Sequence, residues 1–204
     1  MDRLDLIDEI SREISDPRVL AAIGDVPREA FVPEHLRSRA WENGPLPIGE
    51  GQTISQPLVV ARMCELLRLS GDEKVLDVGT GSGYHAAVLA KLADRVVSIE
   101  RFPDLSRAAA RSLERAGIDN VSLVVGDGSL GWPGEAPYDA INVAAAAGHG
   151  TPPALIEQLA DGGRMVIPVD GFDQRLLLVV REGDEVDVAV EERVRFVPLV
   201  EDGP

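Results

Sequence analysis

A glycine-rich turn follows a short apolar run in the middle of the sequence. The run, Lys74-Val-Leu-Asp-Val78, has the composition of a buried strand, and the turn, Asp77-Val-Gly-Thr-Gly-Ser-Gly83, leads into a helix that we predict over 82–92. Open α/β sheets bind their ligands outside the carboxyl ends of the strands, at turns of this kind. Glycines let the backbone turn sharply and let a ligand approach without meeting a Cβ atom. The turn therefore predicts an α/β sheet with a ligand pocket at its edge.

Beyond Ser70 the sequence alternates between strand-like and helix-like segments. This alternation predicts a mostly parallel sheet with helices on both faces. Two further strand-like runs, 175–181 and 186–197, flank a turn at 182–185 and predict an antiparallel pair at one edge of the sheet. The predicted parallel strands are 74–78, 95–100, 121–125, 138–143 and 164–169, and the predicted helices are 57–67, 82–92, 103–116 and 152–159.

The N-terminal part of the chain has a different pattern. Apolar residues at helical spacing predict helices over 2–15 and 16–23. The segment 44–52 holds three glycines and two prolines, which predicts a loop with no regular structure. A length of 204 residues fits one domain. We therefore predict a single domain over 1–204, with an N-terminal helical and loop extension over 1–56 and an α/β core over 57–204.

The chain is strongly acidic. It carries 35 Asp and Glu residues against 20 Lys and Arg residues, a net charge of −15, which repels nucleic acid and anionic membranes. The N-terminus lacks the basic start of a signal peptide, and no run of about 18 apolar residues predicts a membrane span. We therefore predict a cytoplasmic protein with no nucleic-acid or membrane partner. A monomer is our expectation, although the sequence leaves the oligomeric state undetermined. The single cysteine, Cys64, is predicted to be a core residue, and no Cys/His cluster predicts a metal site.

The spacing of the glycines distinguishes between possible ligands. A dinucleotide-binding turn has the pattern G-x-G-x-x-G, but the sixth position counted from Gly79 is Tyr84. This departure disfavours an oxidoreductase that binds a dinucleotide, which is an alternative function for such a fold. S-adenosylmethionine carries no pyrophosphate and instead presents an amino acid end. Asp77 could hold the ammonium group of that end, directly or through water.

Two acidic residues end the strands that follow the turn. Glu100 lies about twenty residues beyond the turn, where a carboxylate accepts hydrogen bonds from ribose hydroxyls. Asp127 lies between Gly126 and Gly128 and could accept a hydrogen bond from the amino group of adenine. The alternative is that Glu100 and Asp127 only cap the helices that follow them. Three acidic residues at successive strand ends favour S-adenosylmethionine as the cofactor.

Six segments spread over residues 26–200 carry a recognisable set of motifs. They are Val26-Pro-Arg-Glu-Ala-Phe-Val-Pro-Glu34, Leu46-Pro-Ile-Gly49, Gly51-Gln-Thr-Ile-Ser-Gln-Pro57, Asp77-Val-Gly-Thr-Gly-Ser-Gly-Tyr84, Gly126-Asp-Gly128 and Arg195-Phe-Val-Pro-Leu-Val200. Together they resemble the protein-L-isoaspartate O-methyltransferase family. The glycine turn is shared with many methyltransferases, whereas the motif from Gln52 to Pro57 is much more specific.

The resemblance implies a Rossmann-like methyltransferase fold and a defined reaction. The methyl group of S-adenosylmethionine is transferred to the free α-carboxylate of L-isoaspartyl or D-aspartyl residues in damaged proteins, and the ester then closes to a succinimide that begins repair. Isoaspartyl peptides and proteins are the implied partners, and Ser55 matches the active-site serine. The cofactor-binding residues predicted from the turn, the strand ends and the resemblance are Gln52, Thr53, Ile54, Asp77, Gly79, Thr80, Gly81, Ser82, Gly83, Glu100, Asp127 and Gly128.

The acceptor chemistry explains the absence of an obvious catalytic base. A carboxylate with a pKa of about 3.5 is already an anion at neutral pH, so it can attack the methyl group without losing a proton. Ser55 could donate a hydrogen bond that orients this carboxylate, and the amides at the start of the helix at Pro57 could add positive potential. The alternative is that Ser55 only caps that helix.

Two positions depart from the family pattern. His85 stands where glutamine or threonine is common, and Ala144-Ala-Ala-Ala-Gly-His-Gly150 replaces a segment that is often richer in Thr and Pro. The second departure lies beside the expected substrate cleft. It leaves open a carboxyl methyltransferase that acts on aspartate in a specific precursor peptide or on a small carboxylic acid. His85 and His149 could line this cleft, but we expect hydrogen-bonded or solvent-facing histidines without an obvious catalytic partner.

Overall fold

The computed structural model describes residues 1–148 and 150–200 of the chain. Its helices are α1 (Arg3–Ile10), α2 (Pro17–Asp25), α3 (Pro57–Leu67), α4 (Tyr84–Ala90), α5 (Pro103–Arg115) and α6 (Pro153–Glu157). Its strands are β1 (Leu46–Gly49), β2 (Gln52–Ile54), β3 (Lys74–Val78), β4 (Arg95–Glu100), β5 (Val121–Val125), β6 (Tyr138–Val143), β7 (Leu159–Val169), β8 (Arg175–Glu182) and β9 (Glu185–Arg193).

A seven-stranded sheet occupies the centre of the molecule, in the order β5-β4-β3-β6-β7-β8-β9. The strands from β5 to β7 are parallel, and β8 and β9 continue the sheet as antiparallel strands. This arrangement confirms the predicted α/β fold with an antiparallel pair at one edge. Strand β3, the middle one of the five parallel strands, is mostly apolar because a parallel strand is covered on both faces, and Val75, Leu76 and Val78 are fully buried.

Successive residues of each strand point to opposite faces of the sheet, so the core has two halves. Val75 and Val96 belong to one hydrophobic cluster, which also contains the buried apolar residues of α1 to α4. Leu76 and Val97 belong to a second cluster, which contains Leu155 of α6. Helices therefore cover both faces, as predicted. Cys64 lies buried in the first cluster, which confirms its assignment to the core.

The N-terminal extension packs into the same core as the sheet. Its first helix ends at Ile10 and not at Ser15 as predicted. The chain turns toward α3 after this helix, because Glu65 Oε1 accepts hydrogen bonds from the amides of Ser15 and Asp16 at 2.7 and 3.0 Å. The prediction of a single domain over 1–204 draws support from this shared core, and it stays a prediction.

The prediction of an irregular loop over 44–52 is wrong. This segment forms most of a short antiparallel hairpin, in which Leu46 pairs with Ile54 and Pro47 pairs with Thr53. Leu46 and Ile54 are each 2% exposed and anchor the hairpin in the core. The glycines make the reversal possible, since Gly49 and Gly51 have φ angles of +117° and +69°, which L side chains rarely adopt.

Two boundaries near the C-terminus also differ from the prediction. Strand β7 begins at Leu159, because Gly162, with a φ of +74°, allows a bulge where we expect the end of a helix. Strand β9 ends at Arg193, where the chain leaves the sheet. The predicted turn at 182–185 is confirmed, since Glu182 and Glu185 pair across it. In the described part of the chain, every helix is too short or too polar to cross a membrane.

Gly83 provides a test of how closely α4 packs against α5. It has a φ of +88°, and a Cβ atom at this position would lie 3.2 Å from Ala109 Cβ. We expect Gly83→Ala to lower the free energy of unfolding by more than the roughly 1–2 kcal/mol of left-handed strain alone. Urea denaturation measures the change.

Gly117→Ala is the matched control for this experiment. Gly117 has a φ of +67°, but a Cβ atom there would meet no atom within 4 Å. Both variants therefore carry left-handed strain, and only Gly83→Ala adds a close contact. Equal losses of stability in the two variants would contradict close packing at Gly83.

Candidate functional site

A cavity of about 780 Å³, including its open mouth, lies at the carboxyl edge of the parallel strands. Four segments of the chain supply most of its wall, and they are distant in sequence. They are 52–55 around β2, 78–82 in the glycine turn, 99–102 after β4 and 197–200 near the C-terminus. Of the predicted site residues, the cavity is lined by Gln52, Thr53, Ile54, Ser55, Gly79, Thr80, Gly81, Ser82, Glu100 and Gly128.

The glycine turn is fixed to the neighbouring strand by its backbone. The amides of Gly79 and Thr80 both donate to Ile99 O, at 2.9 and 3.2 Å. Gly79 and Gly81 have φ angles of +93° and +52°, so side chains would strain the backbone at both positions. The backbone of the turn therefore faces the cavity in a fixed conformation. Gly83 is the N-cap of α4 and does not line the cavity.

Glu100 connects the glycine turn to the start of α5. Its Oε2 accepts a hydrogen bond from the Gly81 amide at 2.7 Å, and its Oε1 accepts one from the Phe102 amide at 2.9 Å. Phe102 is the N-cap residue of α5, so Glu100 satisfies a backbone amide at that helix start. Each carboxylate oxygen has a second lone pair. The side chain can therefore serve the backbone and still accept hydrogen bonds from a ligand in the cavity.

Asp127 caps a short 3-10 turn over Gly128–Leu130. Its Oδ1 accepts hydrogen bonds from Ser129 N and Ser129 Oγ at 2.9 and 2.7 Å, and its Oδ2 lies 4.0 Å from Arg101 Nη1. Its neighbour Gly128 lines the cavity, but the side chain of Asp127 does not. A Cβ atom at position 128 would lie 2.5 Å from Val78 Cγ1, so only glycine fits there. A role for Asp127 in cofactor binding stays a prediction.

Asp77 lies beneath the cavity and is fully buried. Its Oδ2 accepts a hydrogen bond from Ser98 Oγ, and its Oδ1 accepts one from Asn142 Nδ2, both at 2.7 Å. Burial raises the pKa of this carboxyl to about 6, although the two hydrogen bonds act in the opposite direction. A direct contact of Asp77 with a cofactor stays a prediction, since its side chain is not part of the cavity wall.

Ser55 lines the cavity just before the start of α3. The N-cap of this helix is Gln56, and no side chain caps it at that position, so the alternative that Ser55 is only a helix cap is wrong. Asn43 Oδ1 instead accepts a hydrogen bond from the Leu58 amide at 3.2 Å. Because Pro57 has no N–H group and the Leu58 amide is taken, the start of α3 offers less positive potential than we predict.

Arg28 is buried behind the Ser55 segment and holds it in place. Its guanidinium donates hydrogen bonds to the carbonyl oxygens of Ala40, Gly44 and Ser55 at 2.8, 3.0 and 3.2 Å. Its Cζ lies 5.1 Å from the centre of the Tyr84 ring, at the first residue of α4. Burial lowers the pKa of Arg28 to about 10, so the side chain is a cation at neutral pH. The arginine thus links the hairpin segment to the helix that follows the glycine turn.

Comparison with known proteins identifies the family. The family model of protein-L-isoaspartate(D-aspartate) O-methyltransferase matches residues 2–203. A protein-L-isoaspartate O-methyltransferase 2 of Marinobacter nauticus is 56% identical, over 94% of this chain and 88% of its own length. The chain belongs to this family. A protein-L-isoaspartate O-methyltransferase of Vibrio campbellii is 52% identical, over 94% of this chain and 91% of its own length.

Solved structures of the same family have the same fold. One protein-L-isoaspartate O-methyltransferase superposes with a TM-score of 0.88 at 30% identity, covering 97% of this chain and 65% of its own. The chain therefore spans just under two thirds of that longer protein. A proposed protein-L-isoaspartate O-methyltransferase from Plasmodium falciparum, in complex with S-adenosyl-L-homocysteine, has a TM-score of 0.85 at 25% identity, covering 99% of this chain and all of its own.

Several residues of the site escape prediction from the sequence. Arg28 lies in the Val26–Glu34 motif, but nothing in that motif shows that the side chain reaches three distant carbonyl groups. The motif Arg195–Val200 carries the resemblance to the family, yet its position in the cavity wall follows only from the structure. His85 lines the cavity and is 6% exposed, so it is a buried histidine with hydrogen-bond partners. His149 lies outside the described residues.

Removal of the Arg28 guanidinium tests its structural role. Arg28→Met leaves one buried and two partly buried carbonyl oxygens without their donor, and we expect the free energy of unfolding to fall by about 3 kcal/mol. We expect proteolysis to cut the segment 40–56 faster in the native state, because the arginine no longer ties this segment to Tyr84. Urea denaturation and limited proteolysis measure the two effects.

Arg28→Lys separates charge from geometry. Lysine keeps the cation, but its single nitrogen cannot reproduce the planar fork that reaches three carbonyl groups. We expect a loss of stability between those of the wild type and Arg28→Met. A lysine variant as stable as the wild type would show that charge alone is sufficient.

The pKa of Asp77 predicts a pH-dependent effect on stability. Its folded value of about 6 lies above its ordinary value of 3.8, so the buried carboxylate destabilises the fold by up to about 3 kcal/mol above pH 6. This destabilisation decreases as the pH falls from 6 to 3.8 and is absent at lower pH. We expect Asp77→Asn to raise the melting temperature at pH 8, and the difference from the wild type to vanish near pH 4. A difference that does not change with pH would contradict this assignment.

Proposed function

We propose that this chain transfers a methyl group from S-adenosylmethionine to the free α-carboxylate of L-isoaspartyl residues in damaged proteins. Membership in the family supports the reaction. The observation that carries the proposal is that one cavity joins the Ser55 segment to the glycine turn and Glu100. D-aspartyl residues are a further substrate that the family description names. The resulting ester closes to a succinimide, which begins repair of the damaged linkage.

The residues at the cavity wall fit S-adenosylmethionine. The backbone of Gly79 and Gly81 is exposed to the cavity without side chains, and Glu100 can accept hydrogen bonds from ribose hydroxyls. Gly128 leaves room where any side chain would clash with Val78. When bound, this cofactor supplies an electrophilic methyl group on a positively charged sulfur. Gln52, Thr53, Ile54, Thr80 and Ser82 complete the proposed cofactor site.

The acceptor carboxylate has to be oriented in the cavity, but it does not have to be activated by the loss of a proton. An α-carboxylate is ionised at neutral pH, so no residue has to remove a proton from it. Ser55 can donate its hydroxyl hydrogen to one carboxylate oxygen, which fixes the direction of attack. Correct placement of two reactants can lower a barrier by roughly 7–11 kcal/mol. The Arg28 guanidinium holds the Ser55 carbonyl and thereby restricts where the serine hydroxyl can lie.

The proposed partners are peptides and proteins that contain isoaspartate. The net charge of −15 supports the further proposal that the chain binds no nucleic acid. Action in the cytoplasm is a separate proposal. A monomer is a further proposal. Gel filtration with light scattering tests the oligomeric state.

The identity of the acceptor distinguishes this proposal from its alternative. Ala144 and Ala145, in the segment that departs from the family pattern, line the cavity. A carboxyl methyltransferase that acts on aspartate of a precursor peptide or on a small acid is therefore the second candidate. Transfer of labelled methyl groups to an isoaspartyl peptide, its aspartyl counterpart and a small carboxylic acid separates the two. Equal rates with the isoaspartyl and aspartyl peptides would exclude the repair function.

Ser55→Ala tests the role of the serine hydroxyl. We expect kcat for an isoaspartyl peptide to fall about 10- to 100-fold, because a hydrogen bond to a charged group is lost. The affinity for S-adenosylhomocysteine, measured by calorimetry, should stay within about twofold because the substitution leaves the glycine turn and Glu100 intact. Ser122→Ala, on the exposed face of β5, is the matched control and should have wild-type activity. Loss of cofactor affinity equal to the loss of kcat would contradict a role in orienting the acceptor.

A further inference from the structure

A row of polar side chains crosses the sheet directly beneath the glycine turn. Ser98, Asp77 and Asn142 stand side by side on three neighbouring strands, because the strand register pairs Asp77 with both of the others. All three are fully buried. Thr80 Oγ1, in the turn, lies 2.6 Å from Ser98 Oγ at one end of the row. At the other end, His85 Nδ1 lies 3.2 Å from Asn142 Nδ2.

The negative charge of Asp77 determines the direction of each hydrogen bond in this row. An ionised carboxylate only accepts, so Ser98 and Asn142 must both donate to it. The single hydroxyl hydrogen of Ser98 is then used, and Thr80 must donate to Ser98 Oγ. The orientation of the Asn142 amide is fixed in the same way, with Nδ2 toward Asp77 and His85. Asn142 Oδ1 is buried and has no hydrogen-bond partner among the described residues. The orientation of the amide is therefore set by the two contacts of Nδ2 and not by Oδ1.

The amide orientation in turn fixes the tautomer of His85. Asn142 Nδ2 has a second hydrogen that points to His85 Nδ1, so this ring nitrogen must be unprotonated. The ring hydrogen is then on Nε2, which lies 3.6 Å from Cys64 Sγ. Burial lowers the pKa of His85 to about 3, so the ring stays neutral at physiological pH. The row thus runs from the glycine turn to His85, and Cys64 of α3 lies beyond its end.

We propose that His85 is a positioning residue for the cofactor site. Its unprotonated Nδ1 holds the Asn142 amide, and this amide holds the Asp77 carboxylate, which orders Ser98 and Thr80 beneath the turn. This inference rests on the proposed function, because it assumes that the cavity binds S-adenosylmethionine. It explains how a chain with histidine, where the family commonly has glutamine or threonine, keeps its turn in place.

Among the described residues, few polar or titratable side chains face Asp77 from the strands and helices that pack against it. Ser98 and Asn142 contact it from the two neighbouring strands, and Glu100 also raises its pKa from the end of β4. On α4 and α3, His85 and Cys64 are the titratable groups that continue the row beyond Asn142, and burial keeps both neutral. A substitution that loosens the Asn142 amide therefore changes the surroundings of the Asp77 carboxylate. Glu100 is an acidic residue that already raises the pKa of that carboxylate.

The decisive experiment measures S-adenosylhomocysteine affinity against pH for three proteins. In His85→Leu the Asn142 amide loses its second acceptor, and we expect affinity at pH 8 to fall about tenfold. We also expect the decrease of affinity at acid pH to begin at a higher pH, because the less firmly held carboxylate accepts a proton more readily. His85→Gln should restore both properties, since its Oε1 can accept from Asn142 and its Nε2 can donate to Cys64.

Two further measurements keep the result interpretable. Cys64→Ala removes only the partner of His85 Nε2 and should leave affinity within about twofold, as a matched control beside the row. Nitrogen-15 NMR of the wild type should show His85 with an unprotonated Nδ1 and a protonated Nε2, with the signal assigned from the His85→Gln spectrum. A protonated Nδ1, or wild-type affinity at every pH in His85→Leu, would overturn the proposal. If His85→Leu does not fold, the tautomer and the His85→Gln affinity decide the question.

The outcome is separable from that of the proposed function. A wild-type protein that binds S-adenosylhomocysteine but does not methylate isoaspartyl peptide would contradict only the proposed substrate. A wild-type protein that does not bind S-adenosylhomocysteine would contradict the proposed function. The role of His85 in a cofactor site would then fail with it, whereas the NMR result would still test its tautomer.

Discussion

The buried guanidinium of Arg28 is the interaction on which the architecture of the site depends. The carbonyl groups of Ala40, Gly44 and Ser55 lie outside regular helix and strand pairing, so each needs a donor once it is buried. A planar guanidinium can reach all three from one point, which an ammonium group cannot do. The N-terminal extension is therefore held by one side chain at the position where it supplies the serine of the cavity.

On the other side of the first turn of α4, the buried carboxylate of Asp77 fixes its polar neighbours as the Arg28 guanidinium fixes its carbonyl groups. Asp77 orders a row of neutral side chains beneath the glycine turn, while Arg28 orders the segment that leads to Ser55. Adjacent residues connect these two charges to the same helix, since Tyr84 lies under Arg28 and His85 lies at the end of the row. The start of α4 thereby connects the Ser55 side of the cavity to the glycine turn.

The acidic residues at the strand ends have structural roles that differ in how much room they leave for a ligand. Glu100 accepts one hydrogen bond from the turn and one from the start of α5, and each of its oxygens keeps a second lone pair. Asp127 differs, because its Oδ1 is engaged by Ser129 and its side chain lies outside the cavity wall. Glu100 and Asp127 look equivalent in the sequence, but of the two only Glu100 lines the cavity.

The sequence by itself determines the fold class and the edge of the sheet at which a ligand binds. Apolar runs such as Val75–Val78 and the glycine turn encode these features locally, because burial on both faces and positive φ angles each require particular residues. The hairpin over 44–54 does not follow from local pattern, since its glycines and prolines are equally compatible with a loop. Only the burial of Leu46 and Ile54 decides in favour of a hairpin.

The tertiary structure alone decides which polar groups meet. Arg28 reaches carbonyl groups up to 27 residues away in the sequence, and Asn142 reaches Asp77 across 65 residues. No periodicity or motif records such contacts, because they depend on the register of β3 against β6 and on the packing of the N-terminal extension against α4. The same reason places His85 in the site. Its residue type is visible in the sequence, but its tautomer follows from the buried charge of Asp77, two side chains away.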